Sequence, residues 1–380
     1  MIALPYIILT LILFFRHYFS NCTLIYKYSE KIFIYFILSV FFCFRGFIFT
    51  DVFNYEPFFV DIVPNFIELI KTKYWKFTWW EPGFVFYCSF IKLLSNSWIV
   101  FQVIDSAIDL ILLYKALEYF DSNRAENILV FLAMSGMISF IDNIRNIKSI
   151  LIFFFALRYI YDRKVLKYYF CCFIAFSFHK SSFLYFLIYP ILQINVTRRK
   201  FLFYGIISIV FAIISKEVFL IVFKSIKNFL PSAFQKLYLA YVMSQGSYAL
   251  SKVITLGTIE KIIVFNLIYI NYNKLSKDKK NSLLVKIFFI YFANYFLFFG
   301  FSELSNRLSM LFIFAYWCLI PKLVKLQKKS NQPIFILCIL MYCILKMSLY
   351  CQPVQRYENF LFGASTIEER LKTFNTNMKD

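Results

Sequence analysis

A small set of ionisable side chains stands in or beside long apolar segments: Arg45, Asp105, Asp109, Arg145, His179, Lys216, Glu217, Glu303, Arg307 and Arg356. A charge near the bilayer centre costs at least about 2.5–3.5 kcal/mol on insertion scales, so each such residue needs a compensating role. The guanidinium group is planar, permanently charged and able to grip phosphate oxygens in pairs. Several arginines at one level therefore suit a polyanion held at a bilayer surface. The structural alternative is snorkelling to the interface or pairing with Asp51, Glu81 and Glu303. Arg145 and Arg307, flanked by Asn and Ser, fit that alternative least. His179 is one of two histidines and directly follows the apolar run Phe170–Phe178. Its imidazole suits proton removal from an attacking hydroxyl near neutral pH, or else a packing role. Asp105 and Asp109 lie one helical turn apart, which fits a proton relay or, better, two buried carboxylates facing polar partners.

The elements that must carry these groups are apolar. Hydrophobic residues make up 61% of the 380-residue chain and charged residues only 16%, against about 45–50% and about 25% in soluble domains. Mean hydropathy is +0.67. No aqueous core holds that excess, so hydrocarbon is the natural solvent. The 52 Phe and 28 Tyr fit lipid-facing and interfacial positions, but AT-rich coding explains them equally well, so they do not argue for sugar stacking.

Spans need about 17–25 apolar residues. Candidates are 2–15, 32–50, 98–117, 127–141, 146–161, 201–223, 253–271, 283–300, 308–322 and 333–350, with 167–194 entering and returning around His179. The apolar N-terminus has no basic leader region and reads as a first span. Basic loops at Arg158–Lys167, Arg198–Lys200, Lys274–Lys280 and Lys322–Lys329 are expected in the cytoplasm. Residues 83–94 are too short to cross and read as a re-entrant or interfacial helix beside a cavity. The expected fold is all-α: a polytopic transmembrane bundle of about twelve spans with both termini outside. A single transmembrane domain over 1–352 carries outer loops 51–82 and 224–252, followed by a polar tail over 353–380. This topology sets Arg45, Asp51, Glu81, Arg145, His179, Glu303, Arg307 and Arg356 at the outer ends of their helices.

Other classes fall away. The net charge of +20 is spread in short runs between apolar segments rather than along one face, so no nucleic acid is expected. Nine Cys, including Cys43, Cys171, Cys172, Cys338 and Cys343, lie mostly in apolar stretches without CxxC spacing and read as small hydrophobes. Without HExxH, CxxC or a GxxxxGK[ST] loop, no metal, no cofactor and no ATP-driven pumping is expected.

The ordered landmarks carry a family resemblance. Phe44–Arg45–Gly46 ends the second candidate span and leads to Asp51 and Tyr55. Trp80–Glu81–Pro82–Gly83–Phe84 opens a short helix, Asn143–Ile144–Arg145–Asn146 starts a span, and Ala175–Phe176–Ser177–Phe178–His179–Lys180–Ser181–Ser182 follows. Ser305–Asn306–Arg307–Leu308 and Gln352–Pro353–Val354–Gln355–Arg356–Tyr357 complete the series. Over roughly residues 40–360 the chain resembles the EpsG family of Wzy-like polysaccharide polymerases. One departure is the four-residue separation of Gly46 from Asp51.

The resemblance implies a GT-C-like, metal-independent membrane glycosyltransferase of the bacterial inner membrane, acting on lipid-linked oligosaccharide at the extracytoplasmic face. It would join undecaprenyl-diphosphate-linked repeat units into exopolysaccharide, capsule or O-antigen. It implies Arg145 and Arg307 on the diphosphate and His179 as base. Arg45, Asp51, Tyr55, Trp80, Glu81 and Arg356 would be substrate contacts, with Tyr55 and Trp80 against sugar rings. Membrane lipids, a flippase and a chain-length regulator are the implied partners. Two competing readings are a flippase or transporter of the same lipid-linked oligosaccharide and a membrane O-acyltransferase. Against the first, the halves 1–190 and 191–380 share no internal repeat.

Overall fold

The computed structural model describes residues 2–19, 24–122, 124–226 and 254–377. It is 78% helical, and no strand occurs among the described residues. The expected outer loop 224–252 lies almost wholly outside them. Contacts group the chain into two compact units, 1–187 with 327–380, and 188–326.

In the first unit, helices α1 (Leu4–Phe19), α2 (Leu24–Cys43), α5 (Pro82–Lys92), α6 (Trp98–Tyr119), α9 (Ile144–Tyr161) and α10 (Val165–Phe178) surround a core centred on α9. Helix α9 is apolar on nearly every face: Ile147, Ile150, Leu151, Phe153, Phe154, Ala156 and Leu157 are all buried. It packs between α6 and α10 and ends where Arg163 takes a left-handed φ of 56°. After α10 the chain turns at His179 and a 3-10 turn (Lys180–Phe183) into α11 (Leu184–Gln193). The Tyr168 hydroxyl donates to the Tyr185 carbonyl, and Tyr169 stacks on Phe186, so the chain returns along α10 as expected.

Residues 51–82 are more than a loop. Short helices α3 (Val52–Pro57) and α4 (Phe66–Thr72) fold Val52, Phe58, Phe59, Val63, Leu69 and Trp80 into one apolar cluster with α5, α6 and Ile144. Lys92 at the end of α5 donates to the carbonyls of Val60 and Val63, which caps the segment between them. Residues 353–377, polar in sequence, also pack. Gly46 N donates to Glu358 O and Phe360 N to Phe44 O, while a final helix, Ile367–Asn377, buries Arg370 against the carbonyls of Phe47, Val354 and Arg356.

The second unit contains α12 (Arg198–Ile226), α13 (Leu256–Ile270), α14 (Lys279–Leu297), α15 (Ser302–Met310) and α16 (Phe314–Lys325). Its core stacks Phe201 on Phe265 and Phe265 on Phe292. Gly205 suits this contact, because a Cβ there would come within 2.2 Å of Phe265 Cζ. Helix α17 (Gln332–Ser348) belongs to the first unit again.

Among the described residues one helix is long and apolar enough to cross a membrane, Arg198–Val222 within α12, or two if the bent pair α15–α16 counts as one span. Twelve crossings are therefore not established by helix length and composition. The shortfall has physical causes. Candidate span 127–141 is broken into α7 (Ala125–Phe131) and α8 (Met137–Ile141) by non-helical Met134 and Ser135, the latter at φ 63°. Candidate span 308–322 is bent by 70°. Helices α6 and α9 have 22 and 18 residues but carry Asp105, Asp109 and Lys115, and Arg145, Lys148 and Arg158, respectively. Helix α5, at 11 residues, covers about 16 Å of a hydrocarbon core about 30 Å thick.

Candidate functional site

The sequence Glu81–Pro82–Gly83 starts α5 in a way that frees the Glu81 carboxylate. Pro82 takes the first helical position, where its missing N–H costs nothing. Glu81 stands at the cap position, yet its side chain makes no cap hydrogen bond. Instead Glu81 Oε2 forms an ion pair with Arg145 Nη1, from the first turn of α9. The pair is largely removed from solvent, with side-chain exposures of 16% for Arg145 and 7% for Glu81. Removing either partner from so dry a pair strands the other charge.

An aromatic box surrounds the guanidinium. Its carbon lies 4.4 Å from the Trp80 ring centroid, 5.5 Å from Trp79, 5.6 Å from Tyr55 and 5.9 Å from Phe84. Arg145 Nε donates to the Tyr55 hydroxyl at 3.1 Å. Burial pushes the Tyr55 phenol up to about 12, against the opposing pull of Arg145. Arg145 Nη2 has no hydrogen-bond partner among the described residues, so part of the fork remains for an anion.

The His179 turn reaches the same pair. Lys180 N donates to Glu81 Oε1 at 3.4 Å, and Lys180 Nζ to the Trp79 carbonyl at 3.4 Å. His179 leaves helical geometry (φ −153°, ψ 123°), which terminates α10 and aims its backbone carbonyl at Ser182 Oγ. Its Nδ1 lies 2.6 Å from Ser181 Oγ. Gly83 makes this approach possible, since a Cβ there would come within 2.6 Å of Ser177 Cβ and 2.7 Å of its carbonyl oxygen.

Of the sequence-predicted residues, Arg145, Glu81, Tyr55, Trp80 and the His179 turn thus come together. Asp51 sits at their edge: its backbone N–H, with that of Thr50, donates to Asp142 three residues before Arg145. Arg45 and Arg356 do not share this cluster. Arg45 is buried between α2 and α6, where Nη1 donates to the Phe42 carbonyl and Ser106 Oγ, and it does not present its charge to an open surface. Arg356 is exposed and lines a separate cavity of about 540 Å³ with Tyr357, Glu358, Glu369 and Arg370. Arg307 belongs to the second unit, where Nε lies 3.4 Å from Glu303 one turn earlier on α15.

Trp80 is packed inside the cluster. Its ring is stacked on Phe58 at 4.3 Å and on Trp79 at 4.1 Å, with Arg145 also against it, and it is buried. The indole open to a ligand is Trp79, 66% exposed, which sequence reasoning passed over. It also passed over Lys148, which meets Asp109 at 2.6 Å and Asp105 at 3.0 Å. A lysine in the middle of an apolar run, one turn after Arg145, was the available signal.

The helical architecture and the long apolar α12 fit a membrane protein. The model of the EpsG family matches residues 31–360, so the chain belongs to the EpsG family, a membrane protein of polysaccharide-polymerase type. No curated protein and no solved structure matches the chain.

Proposed function

We propose that the chain is a metal-independent glycosyltransferase that polymerises undecaprenyl-diphosphate-linked oligosaccharide repeat units at the extracytoplasmic face of the bacterial inner membrane. The observation that carries the reading is Arg145: held by Glu81, boxed by aromatics, and with Nη2 unspent. In the reaction a sugar hydroxyl of one unit attacks the anomeric carbon of the other. The new C–O bond forms as the bond from that carbon to the diphosphate oxygen breaks, and undecaprenyl diphosphate leaves with the electron pair. Arg145 stabilises the charge developing on that leaving oxygen, where preorganised donors act most strongly. His179, next to the residue that touches Glu81, takes the hydroxyl proton.

Glu81 keeps the guanidinium oriented, and the exposed Trp79 offers a ring face to sugar. Arg307 and Arg356 are further diphosphate or glycan contacts on this reading. The charge-bearing helices α6 and α9 count as crossings here, because their buried charges compensate one another. The polymer made would be an exopolysaccharide, capsule or O-antigen.

The test is glycan analysis of cells carrying Arg145→Ala or His179→Ala. Loss of long polymer, with single repeat units still delivered to the outside, supports the reading. Single units trapped on the cytoplasmic side would instead make the chain a flippase.

A further inference from the structure

Beneath the Glu81–Arg145 pair lies a group of buried charges that the proposed chemistry does not touch. Lys148 on α9 sets Nζ 2.6 Å from Asp109 and 3.0 Å from Asp105, both on α6, and these side chains are only 2–3% exposed. The same ammonium lies 5.0 Å from the Tyr87 ring centroid on α5. Arg45, also buried, donates to Ser106 beside Asp105, so two cations balance two carboxylates. Lys148 follows Arg145 by three residues, which puts their Cβ atoms about 5–6 Å apart on one face of α9. Aliphatic packing is non-directional and tolerates small helix rotations. An ammonium held between two fixed carboxylates tolerates far less, because each lost contact strands a buried charge. Lys148 thus ties α9 to α6 and to α5, the helix whose first turn presents Glu81.

We propose that Lys148 is a positioning residue: its grip on Asp105, Asp109 and the Tyr87 face sets the rotation of α9 at which Arg145 meets Glu81. The functional consequence rests on Arg145 serving polymerisation; the positioning itself does not. A spectroscopic probe separates the two. The chain has five Trp, and Trp80 lies 4.4 Å from the Arg145 guanidinium carbon. Full-length protein labelled with 5-fluorotryptophan and held in lipid nanodiscs gives a ¹⁹F signal for Trp80, identified by its absence in Trp80→Phe. Arg145→Ala calibrates the shift that follows loss of the guanidinium.

In Lys148→Met combined with Asp109→Asn, which removes one cation with one carboxylate and leaves Arg45 with Asp105, the Trp80 signal is expected to move in the Arg145→Ala direction. The Trp317 signal, from the second unit, stays in place. Polymer yield falls roughly tenfold to a hundredfold, the scale of a misplaced catalytic group. Lys148→Arg, which keeps the charge, retains the wild-type Trp80 signal and most of the yield. Asp105→Asn alone gives a smaller shift and serves if the double variant does not fold. A Trp80 signal at the wild-type position in either folded carboxylate variant overturns the proposal, as does Lys148→Arg behaving like Lys148→Met. If the signals move as expected but Arg145→Ala leaves polymer length unchanged, the polymerase reading fails and the positioning role stands.

Discussion

The Glu81–Arg145 pair divides its duties unequally. Glu81 has both oxygens engaged, one by Arg145 and one by Lys180 N, whereas Arg145 retains an unpaired Nη2. Glu81→Gln should therefore act through Arg145 by removing the charge that holds it. Polymerisation should drop by about 100-fold or more in Arg145→Ala, the scale of losing an oxyanion donor, and nearly as far in Glu81→Gln. Arg145→Lys is expected to recover little, since a point charge cannot serve Glu81, Tyr55 and a substrate oxygen together. In vitro chain-length analysis of the three variants is the check. Tyr55 gives a pH prediction. Its phenol is raised from 10.0 to about 12, so the neutral form persists to higher pH in the folded protein and Tyr55 does not ionise across the physiological range. Tyr55→Phe should cost about 1 kcal/mol of Arg145 anchoring and lower activity severalfold. The limbs of the pH–rate profile between about pH 6 and 9 should stay where they are.

At the level of elements, function depends on α5 and the His179 turn meeting α9. The contact is tightest at Gly83, where an added Cβ would overlap Ser177. Gly83→Ala is expected to destabilise by about 1–3 kcal/mol, the usual cost of overpacking, and to reduce activity by parting Glu81 from the His179 turn. Thermal unfolding in detergent, read beside polymer yield, tests both parts. The last helix of the chain offers a comparable case. Arg370 donates to the carbonyls of Phe47, Val354 and Arg356 and pairs with Glu358 at 3.6 Å. Arg370→Ala leaves the Phe47 carbonyl without its donor, at roughly 1–3 kcal/mol, while the Val354 carbonyl keeps Phe49 N–H. A lowered midpoint with the Arg45–Gly46 segment loosened, seen as faster amide exchange there, is the expected outcome.

For the molecule as a whole the open quantity is sidedness. The basic turn at Arg163–Lys164 and the turn at His179–Lys180 lie at opposite ends of α10, a helix of 14 residues. If the first is cytoplasmic, as the basic residues predict, the second is expected to face outward with Glu81 and Arg145. A membrane-impermeant maleimide applied to intact spheroplasts should label Lys180→Cys and leave Lys164→Cys unlabelled until the cells are opened. The nine native cysteines are replaced by alanine to clear the background. Labelling in the opposite sense would invert the orientation and remove the proposed site from the extracytoplasmic face.

Hydropathy, charge runs and the order of short motifs are local properties that add along the chain. The sequence alone was therefore enough for a helical membrane protein, for the family, and for Arg145, Glu81 and the His179 turn as residues of interest. The return of 167–194 on itself was legible for the same reason, from basic residues at both ends of one apolar block. Which charge meets which was not legible. Glu81 and Arg145 are 64 residues apart and Asp109 and Lys148 are 39 apart, and both pairings are decided by how α5, α6 and α9 pack. Packing likewise settled which tryptophan is open: Trp79 and Trp80 are neighbours with identical side chains, and Tyr55, Phe58 and Phe84 close on Trp80. Tertiary structure also drew the polar residues 353–377 onto the Arg45–Gly46 segment, because backbone hydrogen bonds and a buried guanidinium, rather than apolar side chains, hold them there.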